Sequence, residues 1–265
     1  MSYKHIQVER QQQIVIITID RPDVLNALDP ATNFEMAAAF DAFESDDNAR
    51  VAIVTGRGDT AFSVGGDISA MVGAKTEDDY ATPESGYGGL TNRFSCHKPI
   101  IAAVNGLALG GGFEVALASD LIIATDNAQF GLPEPKVGIT AIAGGMHRLV
   151  RQIGLKPAMQ LLLTGQTINA ERALQLGLIN ELVEPEQLMP TALKMAERII
   201  RCAPLAIEAT KQCVMGGLNT ASVEEALKQQ ASNHYDRLDK MIKSADTQEG
   251  IQAFIEKRAP QWQGR

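Results

Sequence analysis

Cysteine is scarce in this chain. Only Cys96, Cys202 and Cys213 occur among 265 residues, and their spacing suits neither a disulfide framework nor a zinc site. No long basic run appears. With 24 Lys and Arg against 32 Asp and Glu, the formal net charge is -8, so a nucleic-acid footprint is not indicated. The first ten residues carry no apolar stretch of signal-peptide length and no Arg/Ser-rich transit pattern. The longest apolar runs, such as residues 14–19, are too short to span a bilayer. These absences lead us to expect a soluble, cytoplasmic protein with no nucleic-acid or membrane partner. Several chemical motifs are missing too: a Walker loop, a G-x-G-x-x-G fingerprint in the right context, a G-x-S-x-G elbow, and a His pair at metal-ligand spacing. No internal repeat and no long linker is visible.

What is present is an ordinary globular composition, 45% apolar and 21% charged, enough for a sizeable core. The length fits one large domain, or one domain with a helical extension. Residues 14–19, 51–55, 99–104 and 120–124 read as buried strands, being β-branched or apolar and bounded by turn residues. Asp29 followed by Pro30 reads as an N-cap with proline at the first helical position, opening a helix to about Glu44. Residues 71–89 show no apolar period and read as a mobile loop. After about residue 143 the pattern turns helical, most clearly over 186–202, 204–215, 222–242 and 247–258. Asp246 and Glu249 form a capping-box-like pair in the last of these. Strands alternating with helices, followed by a run of helices, predict an α/β core with a helical tail.

Four short segments carry the candidate chemistry. Gly110-Gly-Gly112 opens an apolar helix, and glycines without Cβ at a helix N-terminus expose free N–H groups that can hold a phosphate or an oxyanion. Tight packing of helix on strand explains the same glycines equally well. Glu114 lies one turn into that helix, among Phe113, Val115, Ala116, Leu117 and Ala118, where a buried carboxylate is costly. It is either a functional acid or a helix-start glutamate satisfying the dipole. Gly65-Gly66-Asp67 is a second candidate source of backbone N–H, with Asp67 able to cap the next helical turn, or it is a simple turn. Glu134, fixed between Pro133 and Pro135, is a directed acid or a surface-loop residue. His147, in Gly-Gly-Met-His-Arg, reads as structural.

Together these pieces resemble the crotonase, or enoyl-CoA hydratase/isomerase, superfamily. The matching segments occur in family order: Arg21-Pro-Asp-Val-Leu-Asn-Ala-Leu28, Phe62-Ser-Val-Gly-Gly-Asp-Ile68, Lys98-Pro-Ile-Ile-Ala-Ala-Val-Asn-Gly106, Ala108-Leu-Gly-Gly-Gly-Phe-Glu114, Ala128-Gln-Phe-Gly-Leu-Pro-Glu134, and the tail Ala253-Phe-Ile-Glu-Lys-Arg258. The similarity covers essentially the whole chain. It implies an α/β crotonase (ClpP-like) ββα spiral over residues 1–200. Residues 201–265 would be a C-terminal helical trimerisation region, giving a homotrimer or a homohexamer built as a dimer of trimers.

The resemblance also implies that Gly66 and Gly111 form an oxyanion hole and that Glu114 and Glu134, twenty residues apart, are the catalytic acids. Val64, Gly66, Asp67, Ile68, Gly111 and Ile142 would line the acyl-CoA site, and Phe254 and Lys257 would reach the CoA from the last helix. No cofactor is expected, since coenzyme A is part of the substrate. Two departures from the family pattern stand out. Ala141-Ile142 replaces the usual Pro-Gly, and Val64 replaces a smaller residue, changing pocket shape without removing a catalytic group. The paired glutamates imply hydration of an enoyl-CoA. A double-bond isomerase commonly lacks the acid at the Glu114 position, and a dehydratase of a specialised acyl-CoA such as a carnitinyl-CoA is the same chemistry on another tail. A non-catalytic binding protein of the same fold would show degraded acids, and none is seen.

Overall fold

The computed structural model of the chain describes residues 3–73 and 81–265. It forms two compact units. One comprises the described residues up to Arg93 together with Ile100–Lys194, the other Phe94–Pro99 with Met195–Arg265.

The first unit begins with β1 (Ile6–Gln11), β2 (Ile14–Ile19) and α1 (Pro30–Ser45). Asp29 caps α1 by accepting from the amide of Thr32 at 2.7 Å, with Pro30 at the first helical position. Three turns of one motif follow. They are β3 (Val51–Gly56), β4 (Ala61–Ser63) and α2 (Ile68–Gly73); β5 (Ile100–Val104), β6 (Leu107–Leu109) and α3 (Gly111–Ala118); and β7 (Leu121–Thr125), β8 (Gln129–Gly131) and α4 (Gly145–Ile153). In each turn the first strand joins a six-stranded sheet and the second a four-stranded sheet. With α5 (Leu155–Thr164), β9 (Thr167–Asn169), α6 (Ala170–Gln175) and β10 (Glu181–Val183), the sheet orders are β1-β2-β3-β5-β7-β10 and β4-β6-β8-β9. This is the ββα spiral. β1 is antiparallel to β2 and β9 to β8, and the other pairings are parallel.

β3 and β5 are buried at every residue. Hence they read as unbroken apolar runs rather than alternating ones. Phe40, Phe43, Phe62, Phe113 and Phe130 are fully buried, each contributing roughly 1.5–3 kcal/mol. Phe113 of α3 and Phe130 of β8 meet with ring centroids 5.5 Å apart, so the helix that starts at the glycine cluster is seated on the small sheet.

The second unit holds α8 (Pro204–Gly217), α9 (Val223–Ala231), α10 (Asp236–Ile242) and α11 (Ala245–Glu256). The division between the units falls inside α7 (Leu188–Ile200). The expected single helix over 222–242 is two helices, separated by residues that include Asn233 in the left-handed region at φ 56°. The cap of α11 is Ser244, whose hydroxyl accepts from the amide of Thr247 at 3.2 Å. Asp246 instead accepts from the amides of Gln263 and Gly264, holding the C-terminal segment. Glu249 pairs with Arg258 and with the amide of Gln261. Of the expected loop over 71–89, residues 71–73 complete α2 and 87–89 form a short 3-10 turn with buried Gly88 and Gly89. Residues 74–80 lie outside the described residues.

Asn26 ties the 21–28 segment to the small sheet. It is 1% exposed and has φ 55°. Its Oδ1 accepts from the amide of Arg21, and its Nδ2 donates to the carbonyls of Arg57 and Ala61. Asn26→Leu removes the side-chain partners of the Arg21 amide and the Arg57 carbonyl, leaves the Ala61 carbonyl with Asn105 alone, and adds left-handed strain. The expected cost is about 2–4 kcal/mol, read as a lower urea midpoint.

Candidate active site

Register in the small sheet assembles the site. β6 pairs in parallel with β4 on one side and β8 on the other, Ser63 opposite Ala108 and Leu109 opposite Gly131. The chain therefore leaves all three strands at the same edge. The segments emerging there carry Val64–Asp67, Gly110–Glu114 and Glu134. The C-terminal edge of parallel strands is where α/β proteins commonly place ligands.

Among the described residues the two candidate amides lack a protein acceptor for separable reasons. Leu28 forms a parallel bridge with Gly66, its amide donating to the carbonyl of Gly65 at 2.7 Å and its carbonyl accepting from the amide of Asp67 at 3.2 Å. This geometry turns the N–H of Gly66 away from Leu28. Gly111 is the first residue of α3, where an N–H has no intrahelical partner. Among the described residues neither amide donates to a protein acceptor. Glycine is required here by proximity. A Cβ on Gly65, at φ +84°, would lie 2.6 Å from the nitrogen of Gly111, and one on Gly112 would lie 2.2 Å from the carbonyl oxygen of Ser63. The ring of Tyr87 lies against Gly111, 2.9 Å from where a Cβ would be.

Both acids reach this place. Glu114, in the first turn of α3, is 3% exposed. Its Oε1 accepts from the amide of Gly145, the first residue of α4, at 2.7 Å. Burial above all, helped by the nearby charge of Glu134, pushes its pKa up to about 7. The amides of Gly145 and Ala143 and the guanidinium of Arg148 oppose the rise. Glu134 begins a short 3-10 turn after Pro133. Its Oε1 lies 3.2 Å from where a Cβ on Gly110 would stand. Burial raises its pKa as well. Its Oε2 is buried with no hydrogen-bond partner among the described residues, an orphan acceptor that favours a ligand donor.

The other expected residues are distributed as follows. Val64 is partly buried, its amide donating to the carbonyl of Leu25. Asp67 caps α2, accepting from Ser69 and Ala70, and pairs with Arg21, which also pairs with Asp29. The Ser69 hydroxyl above all holds its carboxyl below the usual range. Ile68 and Ile142 are exposed. Phe254, exposed on α11, and Lys257, its left-handed C-cap, belong to the second unit.

Sequence reasoning missed Tyr87 and Arg148. A tyrosine set between Gly86 and Gly88-Gly89 was a signal for the first. An arginine one turn into a helix opened by Gly144-Gly145 was a signal for the second.

A buried and a half-buried carboxyl, both of raised pKa, lie near the glycine-opened N-terminus of α3, an arrangement able to exchange protons beside backbone N–H groups. Comparison with known proteins gives the family. Residues 9–265 match the family described as enoyl-CoA hydratase/isomerase. A carnitinyl-CoA dehydratase of Citrobacter koseri is 42% identical over 97% of both chains, and one of Salmonella typhi is 41% identical over 98% of both. The crystal structure of an enoyl-CoA hydratase from Mycobacterium tuberculosis aligns with TM-score 0.90 at 39% identity, covering 98% of this chain and 99% of that one. One from Bacillus anthracis aligns at 0.91 and 32% identity, covering 99% and 100%. The chain belongs to the enoyl-CoA hydratase/isomerase family. Among the described residues no helix is long and apolar enough to cross a membrane.

Because Glu114 keeps its proton up to about pH 7 when folded, and near 4.5 when unfolded, stability falls as pH rises through that window and levels above it. At pH 8, Glu114→Gln should therefore stabilise the fold by on the order of 1–3 kcal/mol. The gain should shrink below pH 5, as read from urea midpoints at both pH values.

Proposed function

We propose that the chain catalyses reversible hydration of an α,β-unsaturated acyl-CoA, with Glu114 and Glu134 as the acid–base pair. The observation that carries this reading is the placement of buried Glu114 and half-buried Glu134 beside the N-terminus of α3, each carboxyl with a raised pKa. The amides of Gly66 and Gly111 donate to the thioester carbonyl oxygen. Their donation draws electron density from the double bond and holds the enolate oxygen as charge develops. One water lies between the two carboxyl groups. As its oxygen attacks the β-carbon, its proton passes to the ionised carboxylate, and the protonated carboxyl delivers a proton to the α-carbon. Like charges in a buried site oppose double ionisation, so the pair carries one proton between them and titrates as a unit. Run backwards, the same steps expel water from a β-hydroxyacyl-CoA. Every step uses carboxyls, amides and water, so no cofactor is required and coenzyme A arrives with the substrate.

The dehydration direction is favoured as the working one by the carnitinyl-CoA dehydratases at 41–42% identity. Ile142 and Val64 shape the acyl and adenine sides of the site, and Asp67 and Ile68 border the CoA. Phe254 and Lys257 of α11 contact CoA, the lysine serving its phosphates in an otherwise acidic protein.

A trimer, or a hexamer of two trimers, is the working assembly. Val214, Met215 and Leu218 of α8 and its C-terminus, with Ile251, Phe254 and Ile255 of α11, are all exposed. That much apolar surface favours cover by further copies.

Glu114→Gln and Glu134→Gln are each expected to slow hydration of crotonyl-CoA and dehydration of carnitinyl-CoA by about a hundredfold or more. Acyl-CoA binding should stay near wild type. Absorbance of the conjugated thioester follows the first and calorimetric titration the second. Wild-type turnover in either variant would remove the assignment.

A further inference from the structure

Three kinds of group face the carboxyl of Glu114: the amides of Gly145 and Ala143, the carboxyl of Glu134, and the guanidinium of Arg148. Arg148 stands one turn into α4, three residues after the glycine whose amide donates to Glu114. It is half-buried, and its contacts reach two separate segments. Nη2 donates to the carbonyl of Thr91 at 2.6 Å, and Nη1 reaches the carbonyl of Ala143 at 3.5 Å. Thr91 ends the segment that carries Tyr87, whose ring lies against Gly111. Ala143 belongs to the segment whose amides meet Glu114.

Space for this arrangement is provided by Gly144. It has φ +102°, and a Cβ there would lie 2.2 Å from Nη1 of Arg148. Burial of the guanidinium is costly and lowers its pKa, while the charge of Glu114 opposes that drop. The arginine is thus held at a cost, in a place where its planar fork spans two backbone carbonyls and its charge bears on one acid.

We propose that Arg148 is a positioning residue of the acid pair, fastening the Tyr87 segment to the Glu114 segment and placing its positive charge on the Glu114 side of the pair. The proposal rests on the reading that Glu114 exchanges a proton with the reacting water. Two roles are combined in one side chain, and two substitutions separate them. Arg148→Gln keeps a donor for a carbonyl but removes the charge. Arg148→Lys keeps the charge but cannot fork between two carbonyls.

The test compares pH–rate profiles of both variants on crotonyl-CoA with a direct infrared titration of Glu114, its carboxyl band assigned by difference against Glu114→Gln. In Arg148→Gln the loss of a nearby cation should move the Glu114 titration, and the limb of the profile it controls, to higher pH by about one unit. The direction is the same whether Glu114 serves as acid or base. Arg148→Lys should keep the limb within a few tenths of a unit while kcat drops about tenfold, with KM changed less. A wild-type Glu114 titration in folded Arg148→Gln overturns the charge role. A wild-type kcat in Arg148→Lys overturns the fastening role. Should Arg148→Gln not fold, the infrared titration of Glu114 in Arg148→Met, which also removes the charge, decides the charge role, and the kcat of Arg148→Lys decides the fastening role. If Glu114→Gln itself retained activity, the hydratase reading would fall, while the infrared titration would still report on Arg148.

Discussion

Parallel register among three strands of only three residues each, β4, β6 and β8, is the constraint on which the rest depends. Because β6 is hydrogen-bonded on both sides, the chain must leave all three strands at one edge and at one level. Gly65-Gly66, Gly110-Gly111 and Glu134 are thereby brought side by side, although they are far apart in sequence. Slipping one pairing by a single residue would reverse the direction of each side chain in that strand. The close approach of Gly65 to the nitrogen of Gly111 leaves no room for such a slip. Larger elements serve this small sheet. Phe113 of α3 packs at a tilt against Phe130, and Asn26 binds the carbonyl of Ala61 at the start of β4.

Electrostatics at the site is a balance rather than a maximum of stability. Burying Glu114 costs free energy, and the charge of Glu134 adds to that cost. The N-terminus of α4, through Gly145, and the guanidinium of Arg148 recover part of it. The outcome is a carboxyl that titrates at about 7, where loss and gain of a proton are both accessible. A fully paired carboxylate would be more stable and chemically inert. Glu134 takes the complementary place: one oxygen beside Gly110, the other buried without a hydrogen-bond partner among the described residues.

The helical unit is organised differently. Its segments are held by polar ties at their ends, such as the Asp246 carboxylate on the amides of Gln263 and Gly264 and the Trp262 indole on the carbonyl of Arg201. Its exposed apolar residues are left over after these ties are made. The unit thus joins its ends through polar ties while presenting apolar side chains outward.

Strands β2, β3, β5 and β7, the cap at Asp29 and the glycine-opened α3 were legible in the sequence, because each is a local pattern: a β-branched run, an Asp-Pro pair, an apolar helix behind glycines. The order of motifs likewise carried the family. β4, β6, β8 and β9 were not legible, since three residues are too few to display a period of two. The break between α9 and α10 was hidden for a related reason: Asn233 in the left-handed region is a single-residue event inside a continuous helical composition. The sequence by itself also offered the glycine clusters and the two glutamates as candidates through residue type, and the family resemblance singled out Gly66, Gly111, Glu114 and Glu134 among them. Only the tertiary structure decided which of them share one place, that burial moves both acids upward, and that Arg148 and Tyr87 belong beside them. Those are consequences of strand register and helix packing, which bring together groups whose separation along the chain holds no trace of their separation in space.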